Sequence, residues 1–169
     1  EVAAFLSFRP EKVDSYELGY KGYLFDRALY IAVAGFHANY TDVQIPGSVA
    51  CTVANLPSFC GVVSNAGRAT FSGAELEFNA RLGEDMLSAG DRLSLLGAVG
   101  YIDAQYKSYI TNIASVPTDV AAFRQVQNTP RWTFSETLAY RTPVGDGMLN
   151  MNATLSYRSK TYQFEVPNP

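Results

Sequence analysis

The sequence predicts an all-β fold, an antiparallel up-and-down meander of about six strands. Several stretches alternate apolar with polar residues, which gives a strand one apolar face. Aromatic residues make up 13% of the 169 residues, beside many Gly and small residues, and this composition argues against disorder and against a coiled coil. The longest apolar run, Ala28 to Phe36, is far shorter than the roughly 18 residues that a transmembrane helix needs.

The strands can be placed in order along the chain. Three stretches alternate clearly, at residues 72–82, 131–141 and 145–162, and three alternate less regularly, at 15–22, 28–43 and 93–106. The apolar phase of 28–43 changes after Gly35, which indicates either a bulge there or aromatic side chains that point inward. In 131–141 only Glu136 interrupts the apolar row, and its orientation stays open.

The connections between these strands differ in length in a regular way. Short turns are expected at 23–27, 83–91 and 143–147, and long loops at about 44–64 and 107–128. Short turns at one end and long loops at the other are typical of an outer-membrane β-barrel. Trp132 and Tyr140 lie near the two ends of one apolar row, as in the aromatic girdles of such barrels. Alternation alone would also fit a soluble barrel, whose apolar rows point inward.

The charged and polar residues exclude several functions. A net charge of −3 provides no basic surface for nucleic acid. His37 is the only histidine, so neither a histidine-based metal site nor a catalytic triad is expected. Glu75 and Glu77 invite an acid/base interpretation, but two positions apart on a strand they lie side by side, without a facing carboxylate. We therefore expect no catalytic residue, no cofactor and no bound metal.

Five segments resemble, in order, the β-barrel of TonB-dependent outer-membrane receptors. They are PEKVDSYELGYKGYLFDRALYIAVAGFHANYTDVQ at 10–44, NAGRATFSGAELEF at 65–78, LSLLGAVGYIDAQY at 93–106, PRWTFSETLAY at 130–140 and YRSKTY at 157–162. Each segment is a weak signal alone, but together they cover nearly the whole chain.

The resemblance implies a fold, a location and a function. Residues 1–169 would be a partial barrel domain, an interior section of the wall of a large transmembrane β-barrel of about 22 strands. It would lie in the bacterial outer membrane, in a receptor that binds and imports a scarce solute such as an iron–siderophore complex. Partners would be outer-membrane lipid and, through parts of the protein outside this chain, a plug domain and the TonB complex. The identity of the small-molecule ligand stays open, and an isolated fragment would self-associate through its open strand edges.

The same resemblance suggests roles for individual residues. Cys51 and Cys60, whose spacing matches neither a zinc knuckle nor a C-x-x-C motif, would form a disulfide in an external loop. Polar residues of two strands would face the lumen: Glu75, Glu77, Arg81, Asn150, Asn152 and Arg158. Loop residues Tyr109, Phe123 and Arg124 are candidates for ligand contact. The alternative that the sequence leaves open is a soluble all-β module that binds a small ligand or a carbohydrate.

Overall fold

The computed structural model describes residues 8–53, 56–114 and 116–165. They form β1 (Lys12–Leu24), β2 (Leu29–Val53), β3 (Leu56–Glu84), β4 (Arg92–Ile113), β5 (Val116–Asp119), β6 (Trp132–Val144) and β7 (Gly147–Arg158), with a short 3-10 helix at Ala121–Phe123. Within these ranges, no helix has the length and the apolar content that a membrane crossing requires.

The strands form one antiparallel sheet in which neighbours along the chain are also neighbours in space. The order is β1-β2-β3-β4-β6-β7, and β5 pairs separately with the last residues of β4. The predicted all-β meander is therefore confirmed. Its six long strands correspond to the six stretches that alternate in the sequence, although most of them extend further than the alternation indicated.

Three short connections lie at one end of the sheet, which we call the turn end. They join β1 to β2, β3 to β4 and β6 to β7. The last of them is a two-residue turn that begins with Gly145, whose φ of 58° is in the left-handed region that glycine adopts without strain.

The connection between β3 and β4 is organised by Asp91, which is only 2% exposed. Its Oδ1 accepts a hydrogen bond from the N–H of Met86 at 2.8 Å, and its Oδ2 accepts one from the N–H of Leu87 at 2.8 Å. Oδ2 also accepts hydrogen bonds from the Ser88 N–H at 3.0 Å and the Tyr140 hydroxyl at 2.9 Å. Burial by itself would raise the pKa of Asp91, but these donors outweigh it and lower the pKa to about 2.

The opposite end, which we call the hairpin end, differs from the sequence prediction. Residues 44–64, predicted as a loop, continue the β2–β3 hairpin in register from Gln44 opposite Asn65 to Val53 opposite Leu56. Within the described residues this ribbon has two strands, each with one edge that has no partner, and such an edge tolerates Pro46. The predicted 107–128 loop is also partly ordered, since β4 runs to Ile113 and pairs with β5.

The sheet has two chemically different faces. The register places one apolar row beside another across all six long strands, and we call this surface the apolar face. Its larger side chains include Leu18, Tyr20, Ile31, Val33, Leu76, Phe78, Leu95, Val99, Trp132, Phe134, Leu138, Leu155 and Tyr157. On β4 it extends from Leu93 to Tyr101, which matches the roughly 9–11 residues of a transmembrane strand.

The two questions that the sequence left open are answered by the register. β2 pairs with both neighbours without interruption through Gly35, and its irregularity lies between Tyr40 and Val43. Phe36 and Tyr40 therefore point to the face opposite the apolar one, which we call the polar face. Glu136 lies opposite Gly97 and Leu155 without a bulge, so its side chain stays on the apolar face.

Candidate functional site

The middle of the polar face carries a pair of carboxylates. Glu75 and Glu77 on β3 are exposed and lie between alanines of β2, Ala34 and Ala32, on one side and Gly100 and Ala98 of β4 on the other. Because the flanking residues are small, the two carboxylates form a ridge between two shallow cavities of about 390 and 310 Å³. In the part of the chain that the structure describes, neither carboxylate forms an ion pair. We call Glu75 and Glu77 the acidic ridge.

The other predicted lumen-facing residues lie on the same face but away from this ridge. Arg81 is near the turn end, 3.6 Å from Glu84, which also binds Arg92 at 2.6 Å. The β7 residues Asn150, Asn152 and Arg158 also point to the polar face, but β4 and β6 lie between them and the ridge on β3. There the face is lined with hydroxyl groups, among them Thr137 and Thr154, whose oxygens are 2.9 Å apart. The six residues thus share a face but do not form one cluster.

Toward the hairpin end the polar face becomes aromatic, a feature that the sequence analysis did not identify. The residues are Phe36, Tyr40, Phe71, Tyr106 and Tyr109, which we call the aromatic shelf. The Tyr40 and Phe71 rings are 4.9 Å apart and the Tyr106 and Tyr109 rings 5.1 Å apart. The phase change after Gly35 was the available signal, because it moves the aromatic residues of β2 to the polar face.

The register of β4 explains how two tyrosines three positions apart share one face. Ala69 pairs with Tyr106 and Arg68 with Ser108, so Lys107 is an extra residue in β4. This bulge turns Tyr109 to the same face as Tyr106. Gly73 lies in the same surface, and a Cβ there would be 2.6 Å from Cζ of Phe36, so the Phe36 ring lies directly over the glycine.

A small hydrophobic cluster fixes the shelf to the connections of the hairpin end. It consists of Ile45 from the β2–β3 hairpin, Tyr109 from β4 and Val120 from the segment after β5, each less than 9% exposed. The N–H of Val120 donates a hydrogen bond to the carbonyl oxygen of Tyr109 at 2.9 Å. We call these three residues the rim cluster, because they join two connections that are far apart in the sequence.

Glu165 closes the rim cluster from the polar side. Its carboxylate accepts hydrogen bonds from the hydroxyl groups of Tyr109 and, at 3.5 Å, Tyr106. Burial raises the pKa of both phenols, and the hydrogen bonds and negative charge of Glu165 raise it further. Both tyrosines are therefore neutral donors. The guanidinium of Arg124 lies 5.0 Å from the Tyr109 ring centroid and adds a cation–π contact.

The three residues predicted as loop contacts have different positions. Tyr109 is 5% exposed and belongs to β4 rather than to a loop. Its burial in the rim cluster makes it a support for the surface. Arg124 stacks on it, and Phe123, at the end of the 3-10 helix, is exposed to solvent.

The projecting β2–β3 hairpin carries the predicted disulfide. Cys51 and Cys60 are bonded in the structure, with Cα atoms 5.8 Å apart. No residue between Val43 and Gly67 is charged. Leu56 and Phe59 near the tip are exposed, so this hairpin presents an apolar, cross-linked tip.

The described residues contain no group of three or more side chains suited to bind a metal ion. Within them His37 is 2.8 Å from the Ser72 hydroxyl and 3.2 Å from Oδ1 of Asn39, which accounts for both ring nitrogens. His37 lies beside the apolar face, and these two hydrogen bonds give it a structural role.

Comparison with known proteins identifies the family. A family model described as "TonB dependent receptor-like, beta-barrel" matches residues 3–169. Neither a curated protein nor a solved structure matches the chain significantly. The match covers nearly the whole chain and agrees with the meander, the two different faces and the three short connections at the turn end. This chain belongs to the β-barrel family of TonB-dependent receptors, which are transport proteins of the bacterial outer membrane.

Proposed function

We propose that this chain is a section of barrel wall in a receptor that captures a scarce solute, such as an iron–siderophore complex, and imports it. In a transmembrane barrel the apolar face contacts lipid and the polar face lines the interior. The polar face would therefore line the lumen, with the aromatic shelf toward the outside and the acidic ridge halfway down. The proposal rests on one observation: the aromatic shelf and the acidic ridge are two different surfaces that lie at different heights along the same wall.

The aromatic shelf is suited to the first contact with a solute. Aromatic side chains provide a large contact area at low entropic cost, and their faces accept apolar and cationic groups. Tyr40 and Phe71 are partly exposed, whereas Tyr109, on the same face toward the hairpin end, is buried and held by the rim cluster. The shelf would thus be a pre-organised surface, rather than one that must order when the solute arrives.

The acidic ridge is suited to contact a plug domain inside the barrel. Two exposed carboxylates without ion pairs in the described residues would attract basic groups, and the small residues on both sides let a second surface approach closely. Arg81 and the β7 residues Asn150, Asn152 and Arg158 would complete a polar lumen wall around that surface. This arrangement would link the plug to the wall below the shelf.

Uptake by cells that produce the full-length receptor tests the proposal. A strain without the receptor would be complemented with the wild type and supplied with 55Fe-labelled hydroxamate or catecholate siderophores, or with labelled cobalamin. Phe71→Ala should weaken binding of the transported probe about three- to tenfold, the usual range for one aromatic contact. The control Phe59→Ala, on the exposed hairpin tip, should leave binding unchanged. If the uptake of every probe is the same with and without the receptor, the receptor does not import these solutes and the proposal is wrong.

A double substitution separates the ridge from the shelf. Glu75→Gln with Glu77→Gln should leave solute binding at the cell surface unchanged and reduce uptake, because the plug contact is altered but the shelf is intact. Asp146→Asn, an exposed carboxylate in the turn between β6 and β7, is the control. A loss of binding equal to the loss of uptake would show that the ridge acts on the solute itself.

A further inference from the structure

A cleft at the hairpin end, outside the shelf and the ridge, has the features of an anion site. β6 begins at Trp132, so in the part of the chain that the structure describes no long strand pairs with this edge of β4 beyond Tyr101. The segment 125–131 and the residues after β7 lie beside this edge and leave a cavity of about 480 Å³. This volume is within the range of small-ligand sites.

Two cations line this cleft, and each is held over an aromatic ring. The guanidinium carbon of Arg131 is 5.9 Å from the centroid of Tyr101, and Nζ of Lys160 is 4.8 Å from the centroid of Tyr162. The side chain of Arg131 is 62% exposed, so most of its donors are accessible. Stacking on the rings restricts both cations, which lowers the entropic cost of binding an anion between them.

Among the described residues that line the cleft, one is acidic, Asp103, and it does not cancel the positive charge. Its Oδ1 makes a single contact with Arg131, at 3.3 Å, and its Oδ2 accepts a hydrogen bond from Nε2 of Gln105 at 2.7 Å. Two cations against one carboxylate leave the cleft positive in a chain whose net charge is −3. The side-chain amides of Gln105 and Gln125 also line the cleft and can donate hydrogen bonds.

The position of the cleft relative to the membrane identifies the source of the anion. Tyr101 and Trp132, whose rings are 4.7 Å apart, form an aromatic row where the apolar face of β4 and β6 ends toward the hairpin end. Such a row marks the membrane–water interface. Arg131 directly precedes Trp132, so the cleft opens at the level of lipid headgroups, where the anions are phosphates.

We propose that the Arg131–Lys160 cleft binds the phosphate of a phosphorylated lipid headgroup in the outer leaflet. The acyl chains of that lipid would lie on the apolar face along Val99 and Phe134, directly below the cleft. The proposal takes from the proposed function only the orientation of the apolar face toward lipid. It makes no use of solute import, so the two can fail separately.

Lipid binding to the detergent-solubilised full-length receptor tests this site. The probes are diphosphoryl lipid A and the same lipid after enzymatic removal of its phosphates, with bound lipid counted by native mass spectrometry. The wild type should prefer the phosphorylated probe. Arg131→Gln with Lys160→Gln should weaken its binding about 30-fold, the effect of two basic residues at a charged membrane surface. Lys21→Gln, a cation on the polar face, should have no effect.

Two further arms make the result decisive. The charge-preserving variant Arg131→Lys with Lys160→Arg should keep binding within about threefold, whereas a role of these residues only in folding would not follow charge. Excess inorganic phosphate should not displace the lipid, because the acyl chains add contact with the apolar face. Equal binding of both lipid probes, an unchanged double Gln variant, or full displacement by inorganic phosphate would each overturn the proposal.

Discussion

The rim cluster makes a quantitative prediction, because it joins two connections through three buried side chains. Ile45 is 6% exposed, and its Cδ1 would be 3.1 Å from a Cβ on Gly67, so it is closely packed. Replacing a buried isoleucine with alanine costs about 2–5 kcal/mol. The cluster is small and lies at the rim, so the lower limit applies. A loss of about 2 kcal/mol should make separation of the two connections about 30-fold more frequent.

Hydrogen exchange of the full-length receptor in detergent measures this separation directly. The N–H of Val120 is hydrogen-bonded to the carbonyl oxygen of Tyr109. Its exchange rate therefore measures how often the two connections separate, and Val120 lies on the connection that does not carry the substitution. In Ile45→Ala this amide should exchange about 30-fold faster than in the wild type. The matched control is Leu56→Ala on the same hairpin, where the side chain is 68% exposed and the amide of Val120 should be unaffected.

Two results would refute this reasoning. A change of less than about threefold at Val120 would mean that Ile45 does not hold the connections together. An equal change in the Leu56→Ala control would mean that the hairpin as a whole, rather than the buried cluster, determines the exchange rate.

Three further predictions concern the two ends and the middle of the sheet. The pKa of Asp91 is about 2 in the folded chain against 3.8 ordinarily, so its stabilisation of the turn is complete above pH 3.8 and is lost as the pH falls toward about 2. In thermal unfolding across this range, Asp91→Asn should remove that part of the pH dependence. Cys51→Ser with Cys60→Ser should release a constraint of roughly 3 kcal/mol on the hairpin, and limited proteolysis should then cut near the tip. Gly97→Ala should destabilise the barrel by about 1–3 kcal/mol in urea unfolding, because the new Cβ would be 2.5 Å from Cζ of Phe78.

Each of these has a matched control. Asp146→Asn, in the two-residue turn between β6 and β7, should leave the acid transition unchanged. The reduced wild type should be cut like the double serine variant, and resistance of both would show that pairing between the strands alone protects the tip. Gly61→Ala, where a Cβ would have no atom within 4 Å, should be neutral. A cost equal to that of Gly97→Ala would point to a loss of backbone freedom instead of a steric collision.

The alternation of residues predicted the six long strands because a strand with one face in an apolar medium must carry its apolar residues at every second position. The long loops were predicted less well. Pro46 and Gly47 usually end strands, but their effect depends on whether both edges of a strand are paired, and this is a property of the sheet. The disulfide followed from two cysteines in one external connection, which bonding between β2 and β3 then brought to a Cα separation of 5.8 Å.

Glu136 shows a limit of the pattern itself. The sequence marked it as an interruption of an apolar row, and only the pairing with Gly97 and Leu155 shows that it stays on the apolar face. Similarly, the sequence placed Glu75 and Glu77 on one row, but the small residues that make them a ridge belong to β2 and β4. Contacts of this kind depend on register, and alternation within one strand carries no information about its register with the next.

The sequence by itself determined the fold class, the two unlike faces, the end where the turns collect and the family, because these depend on local alternation and on segments of contiguous residues. Only the tertiary structure decided which residues meet across strands. A bulge at Lys107 places Tyr109 on the aromatic shelf. The rim cluster joins Ile45 to Val120 through Tyr109, and the pairing of β4 with β6 ends beside Arg131. The physical reason is that local propensity fixes the direction of each side chain within its strand, whereas the contacts between strands are set by register and by where the pairing of strands ends.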